Sequence, residues 1–225
     1  MPNQAAIAAE ARKNMVDSQI HTAGVIDYAV LEAFRTVPRE MFAPEHLRDV
    51  AYVDEDLALD DGYYLMEPAV LARMVEAAGV RPDDIVLNIG DVTGYSSAIL
   101  SMLAGTVITV EARPGLLDSA RRIWAECSYC NVAVIHGEDL TEGCPEHAPY
   151  SLIFMKGAVA EIPDVLLAQL SLHGRLIAVL RPANARMGVA VLVERIGEGK
   201  YATRKLFDAA THYIPGFAPR TEFSF

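Results

Sequence analysis

An α/β fold, doubly wound around a mostly parallel sheet, with an N-terminal helical subdomain and an antiparallel C-terminal hairpin, is what this 225-residue sequence predicts. Three observations predict it. From residue 84 onward, short continuous apolar runs alternate with helical segments, the pattern of parallel strands covered on both faces. Residues 4–50 read as helical and polar-mixed. Near the C-terminus, two strand-like runs at 189–196 and 201–207 flank Gly197-Glu198-Gly199-Lys200, a hairpin signal.

In chain order, Ile26, Val30, Leu31 and Phe34 recur on one face of a helix that Pro38 ends. Residues 52–62 form an acidic, turn-rich connector. Pro68 opens a second helix where its missing N–H costs nothing, and Val70, Leu71, Met74, Val75 and Ala78 share one side of it. The first parallel strand is 84–90, followed by a turn and a helix over 95–103. A second strand at 106–111 leads into a helix carrying Leu116, Leu117, Ala120, Ile123 and Trp124 on one face. Strands three, four and five are expected at 131–136, 150–155 and 176–180, the last entered through His173-Gly174. The whole chain, 1–225, reads as one domain: 1–67 as a helical cap and substrate loop, 68–225 as the core.

Hydrophobic residues make up 52% of the chain, enough for a filled core, and charged residues at 22% exclude a disordered class. Thirty acidic against nineteen basic residues give a net charge of −11. A field of that sign repels phosphate backbones and anionic lipid, so neither nucleic acid nor membrane is expected as a partner. No apolar run reaches the ~18 residues of a membrane span, and the first twenty residues show no basic-then-apolar secretion signal. Three cysteines cannot pair off completely, which points to a reducing cytoplasm.

The chemistry is expected at the carboxyl edge of the first strands. Asn88-Ile89-Gly90-Asp91-Val92-Thr93-Gly94-Tyr95 places glycines where backbone approaches a nucleotide-like ligand. Glu111, ending the second strand one βα unit later, is placed to accept from ribose hydroxyls. Glu138-Asp139, just past the third strand, are placed to read an adenine edge. The plain structural reading is strand-end glycines and solvated carboxylates.

On these and further residues the chain resembles the protein-L-isoaspartate O-methyltransferase family, S-adenosylmethionine-dependent enzymes with a Rossmann-like methyltransferase sheet. The run 15–19 (MVDSQ) matches that family's opening helix, and 37–44 (VPREMFAP) its helix-to-loop signature. Tyr95 and its helix fit the cofactor turn, 145–150 (PEHAPY) the run before the fourth strand, and Gln169-Leu170 with 173–176 (HGRL) the entry to the fifth. The resemblance implies S-adenosylmethionine as cofactor, held by Asn88, Gly90, Asp91, Gly94, Tyr95, Glu111 and Glu138, and a protein or small-molecule methyl acceptor.

Departures from the family pattern fall at the site. Asn88 stands where an acidic residue is usual, and Val92 where the middle of three glycines is usual. Val92 adds three carbons to the turn and resists positive φ; Asp91 adds a negative charge. In the substrate loop the family's Thr-Ile-Ser-Gln-Pro type run reads Tyr64-Leu65-Met66-Glu67-Pro68, behind Asp54, Glu55, Asp56, Asp60 and Asp61. An isoaspartyl carboxylate there loses a hydroxyl donor and gains a like charge, so isoaspartate repair is not expected. Two readings follow: a methyltransferase acting on another oxygen nucleophile, or a non-catalytic descendant that binds without the cofactor.

Smaller signals have plainer readings. Cys127 and Cys130 form a lone C-x-x-C at a helix end, and no metal site is expected. Lys156 is placed to pair with Glu138, Asp139 or a substrate acid. Tyr63 and Tyr64 suit a pocket wall or a core cover. There is no G-x-S-x-G, and no catalytic side chain is singled out.

Overall fold

The computed structural model describes residues 4–113 and 115–219. Its N-terminal part is helical: α1 (Gln4–Met15), a π-helical turn (Val16–Ile20), α2 (Tyr28–Thr36) and short 3-10 segments at Arg39–Phe42 and Glu45–Val50. A small hairpin, β1 (Leu57–Ala58) and β2 (Tyr64–Leu65), leads into α3 (Pro68–Ala78). The main sheet follows: β3 (Ile85–Ile89), α4 (Tyr95–Ser101), β4 (Thr106–Glu111), α5 (Asp118–Glu126), β5 (Val132–His136), β6 (Tyr150–Val159), α6 (Asp164–Ala168), β7 (Leu170–Leu180), β8 (Gly188–Gly197) and β9 (Lys200–Ala209).

Seven strands lie in the order β5-β4-β3-β6-β7-β8-β9. The first five are mutually parallel, and β8 and β9 close the sheet antiparallel. The strand order reverses at β3, between β4 and β6, and ligands of such sheets bind in the crevice outside the carboxyl ends at that point. Alternate residues feed two cores. Val86, Val107, Leu152, Phe154 and Ile177 pack on one face with α2, α3 and α4; Leu87, Ile108, Ile153, Met155 and Leu176 pack on the other with α6. That alternation is why the strands read as unbroken apolar runs.

Local chemistry sets the element ends. Asp27 caps α2 through Ala29 N–H and Val30 N–H, at 2.8 and 3.2 Å. Ile26 lies outside that cap and is 78% exposed, so the apolar face of α2 starts at Val30 rather than at Ile26. Pro68 takes the first turn of α3, and Gly79 ends it in the left-handed region. Acids of the connector complete the α3 N-terminus: Asp56 accepts from Glu67 N–H (2.8 Å) and Asp54 from Ala69 N–H (3.2 Å). Part of the charge before the substrate loop is therefore helix capping. Strands β6 and β7 are longer than their apolar runs suggest, and β7 begins at Leu170, ahead of His173 and Gly174. Gly174 sits against carbonyl oxygens of Tyr150 and Ser171, where a Cβ would lie 2.7–2.8 Å from each. Among the described residues no helix is long and apolar enough to cross a membrane.

Candidate functional site

The turn after β3 reaches its shape through glycine at its two ends: Gly90 has φ +89° and Gly94 +82°. Val92 is not among the positive-φ residues, so the steric objection to valine there is one of volume alone. Gly94 is required by packing, since a Cβ would fall 2.3 Å from Ala120 Cβ and 2.7 Å from the Trp124 ring. Trp124 also donates its indole N–H to the Gly94 carbonyl at 3.1 Å.

Asn88 and Asp91, expected to face a ligand, turn inward. Asp91 is 1% exposed and caps α4. One of its oxygens accepts from Gly94 N–H (2.9 Å), the other from Ser97 N–H and Ser97 Oγ (2.8 Å each). The Asn88 amide donates to Ser96 and Ser97 Oγ at 3.0 and 2.9 Å. Asp91 thus satisfies N–H groups at the buried N-terminus of α4, helped by Thr93 Oγ1, which accepts from Tyr95 N–H at 3.3 Å, while Asn88 braces the serine hydroxyls of that helix. Tyr95 is fully buried beneath Arg39, with Phe34 and Phe42 beside it, and is a core residue.

Glu111 ends β4 at the expected place and is 2% exposed. Its carboxylate accepts from Leu117 N–H at 2.7 Å and from Arg121 at 3.1 Å. A carboxylate offers about four lone-pair sites, so about two remain. Glu138 is exposed just past β5, and Asp139 caps the short turn that follows it through Thr141.

The β1–β2 hairpin folds over the carboxyl edge of the sheet. Lys156, at 6% exposure, donates to the Tyr64 carbonyl at 2.9 Å rather than pairing with Glu138 or Asp139. It reaches up from β6 and ties β2 to the sheet. Burial pushes its ammonium pKa down, and the carboxylates of Asp91 and Asp56 oppose that shift. The hairpin tip is latched by Asp61 to Arg113 at 3.0 Å, with the guanidinium 5.3 Å from the Tyr63 ring centre. Arg39, fully buried, bonds the Ala51 and Met66 carbonyls at 2.6 and 2.8 Å and so anchors the loop from beneath.

Two spaces meet this turn. One, about 20 Å³, lies among Tyr64, Met66, Gly90, Val92, Lys156 and His212. The other, about 380 Å³, opens beyond Val92 toward Phe42, Leu59, Thr93 and Leu116. Small-molecule pockets are typically about 300–1,000 Å³, so the second is of ligand size, while the first has room for no more than a group the size of a reacting hydroxyl. Val92 borders both.

Met66 is 2% exposed, and Glu67 is partly buried at the mouth of α3. Burial, and then the carboxylates of Asp54, Asp56 and Glu55, push Glu67 up to about 7. A raised acid pKa means that the folded chain keeps a proton that the unfolded chain has released, so stability falls as pH rises from the ordinary glutamate range through about 7. Glu67→Gln removes that loss. Thermal unfolding is expected to show the variant gaining on wild type at pH 8 and much less at pH 5.

Tyr64, Met66 and Gly90 meet at one cleft as expected, with Glu111 at the end of the adjacent strand. Sequence reasoning missed Arg39 as the loop's anchor, and the pair of His212 with Asp56, 156 positions apart, whose Nδ1 and Oδ2 lie 3.0 Å from each other. Clustering of acids at 54–56 was the only signal for the second.

A parallel core reversing at β3, a glycine-ended turn there and a buried acid ending the next strand define a Rossmann-like methyltransferase fold. Within that class, residues 10–218 match the model of the protein-L-isoaspartate(D-aspartate) O-methyltransferase (PCMT) family, and the chain belongs to it. It is 39% identical over 186 residues to a protein-L-isoaspartate O-methyltransferase of Methanoculleus marisnigri, covering 83% of this chain and 84% of that one. A Geotalea uraniireducens relative, protein-L-isoaspartate O-methyltransferase 1, is 37% identical over 198 residues, covering 88% and 90%. A solved protein-L-isoaspartate O-methyltransferase superposes with a TM-score of 0.78 at 25% identity, over 92% of this chain and 67% of that chain.

Proposed function

We propose that this chain is an S-adenosylmethionine-dependent O-methyltransferase whose acceptor is not an isoaspartyl carboxylate. Family membership supports the cofactor, and the substrate loop carries the departure in acceptor: Met66 and Glu67 offer a thioether and a crowded carboxyl where a carboxylate substrate needs donors.

The residues present suit the cofactor. Glu111 keeps lone pairs for ribose hydroxyls and Glu138 is open to an adenine edge; the 380 Å³ space beyond Val92 is lined by Thr93 and Leu116 rather than by either acid. When bound, the cofactor supplies an electrophilic methyl group. The chain's part is positioning: an oxygen nucleophile held in line needs little else. The turn from Gly90 to Gly94 presents backbone to the ligand's amino-acid end, and Lys156 holds the hairpin beside that turn.

Calorimetric titration with S-adenosylmethionine and S-adenosylhomocysteine tests this reading. Glu111→Ala is expected to weaken binding by about 1–3 kcal/mol. Val92→Gly, which removes the side chain bordering both spaces, is expected to strengthen it. Unchanged affinity in the first variant removes the ribose assignment, and unchanged or weakened affinity in the second removes the steric one. The small volume of the 20 Å³ cleft favours a second reading, a non-catalytic binding protein; it prevails if neither wild type nor Val92→Gly binds either ligand.

A further inference from the structure

His212 borders the cleft that holds Met66, Gly90 and Lys156, and it is oriented by a buried acid. Its Nδ1 lies 3.0 Å from Asp56 Oδ2, and the Asp56 side chain is 9% exposed. Asp56 is itself fixed from two further directions. Its Oδ1 accepts from Glu67 N–H at 2.8 Å, and its Oδ2 also accepts from Thr211 Oγ at 2.8 Å. The imidazole stacks on Tyr64, with ring centres 3.4 Å apart and planes 6° from parallel. Ring rotation is thereby blocked by stacking on one face and by the Asp56 bond at one corner. An ionised carboxylate only accepts, so the ring nitrogen facing it carries the proton. In the neutral ring Nε2 then has a free lone pair. The His212 side chain is 49% exposed, so a proton taken up there has a route to water.

We propose that His212, oriented by Asp56, is the general base for a neutral hydroxyl acceptor. This rests on the methyltransferase reading and names its substrate class. A carboxylate acceptor is already ionised at neutral pH and has no use for a base; an alcohol or phenol does. The surroundings sort acceptors the same way. Asp54, Glu55, Asp56 and Glu67 crowd the loop and oppose an anion, whereas a neutral hydroxyl escapes that repulsion. Lys156, the cation bordering the cleft, favours negative charge developing on the acceptor oxygen. The acceptor's O–H bond breaks and its proton passes to His212 Nε2. The freed oxygen pair bonds the methyl carbon, the carbon–sulfur pair stays on sulfur, and the imidazolium returns its proton to solvent.

Nitrogen NMR of ¹⁵N-histidine-labelled protein is the first test. The neutral His212 ring is expected as the Nδ1–H tautomer, and titration with phenol is expected to move the Nε2 signal. Asp56→Asn should lose the tautomer preference. With S-adenosylmethionine and phenol, His212→Gln should lower kcat by about 10²–10⁴-fold, with S-adenosylmethionine affinity unchanged within twofold and rate restored by added imidazole. A dominant Nε2–H tautomer, a ring insensitive to phenol, or a His212→Gln variant as fast as wild type would overturn the base while leaving cofactor binding intact. Absence of S-adenosylmethionine binding in calorimetry would instead overturn the methyltransferase reading, and the reaction with it.

Discussion

Wild-type protein supplied with labelled S-adenosylmethionine and an isoaspartyl peptide is expected to transfer methyl at under about one hundredth of an ordinary family member's rate. Two penalties of the same sign act on the acceptor. Losing a hydrogen-bond donor to a charged group costs about 1.5–3 kcal/mol, and Met66 offers none. A second carboxylate at ~4 Å costs roughly 1–4 kcal/mol at surface-like dielectric. Glu67 relieves part of the second by holding a proton near neutral pH, since burial and Asp54, Asp56 and Glu55 already push it to about 7. The relief does not supply a donor at Met66. Lys156 is the cation at the cleft, and its ammonium is bonded to the Tyr64 carbonyl. The double variant Met66→Ser, Glu67→Gln is expected to gain isoaspartyl transfer. Robust transfer by wild type would refute the argument; gain in Val92→Gly alone would place the defect in the cofactor turn.

The fold was legible because each strand announces itself locally. Strand β4 matches its expected bounds, and β3 lies within one residue of its apolar run at either end, since burial on both faces leaves no polar alternation to misread. Gly90, Gly94 and Glu111 were legible for a related reason: each ends a strand or a turn, and chain order alone puts them at one sheet edge. What was not legible is where polar side chains turn. Asp91 looked like a charge aimed at a ligand, yet the open N–H groups of α4 draw it inward. Lys156 looked like a partner for acids next along the edge, yet its contact is a carbonyl 92 positions away. His212 finds Asp56 because the C-terminal segment lies along the end of β6, where Ala158 N–H donates to the His212 carbonyl and Ile214 N–H to the Ala158 carbonyl, at 2.8 and 2.9 Å. No periodicity in sequence encodes a pairing of that range.

Replacing Arg175 by Met is expected to cost about 3–5 kcal/mol of stability, the largest loss from a single side chain outside the site. Arg175 lies near the start of the sheet-buried part of β7 and is itself 8% exposed. It donates to the Ala78 carbonyl, to Gly79 O at 2.5 Å, to Ser151 O at 3.1 Å, and to both oxygens of Asp84 at 3.2 and 2.5 Å. One guanidinium thereby joins the end of α3, the entry to β3 and the start of β6. Methionine fills similar length and provides none of those donors, leaving a carboxylate at 3% exposure without its cation. The pH dependence separates this from simple loss of packing. Burial pushes the Asp84 carboxyl up, but Arg175, Arg81 N–H and Ser151 outweigh it and hold the pKa below the ordinary aspartate value. A depressed acid pKa contributes stability that is present above the unfolded value and lost as pH falls through the folded one. With Arg175 gone the burial effect prevails and the sign reverses. Chemical denaturation at pH 7 and at pH 3 should therefore show the variant far below wild type at the first and much closer at the second. An equal deficit at both would mean that Arg175 contributes through its aliphatic stem rather than through the buried ion pair.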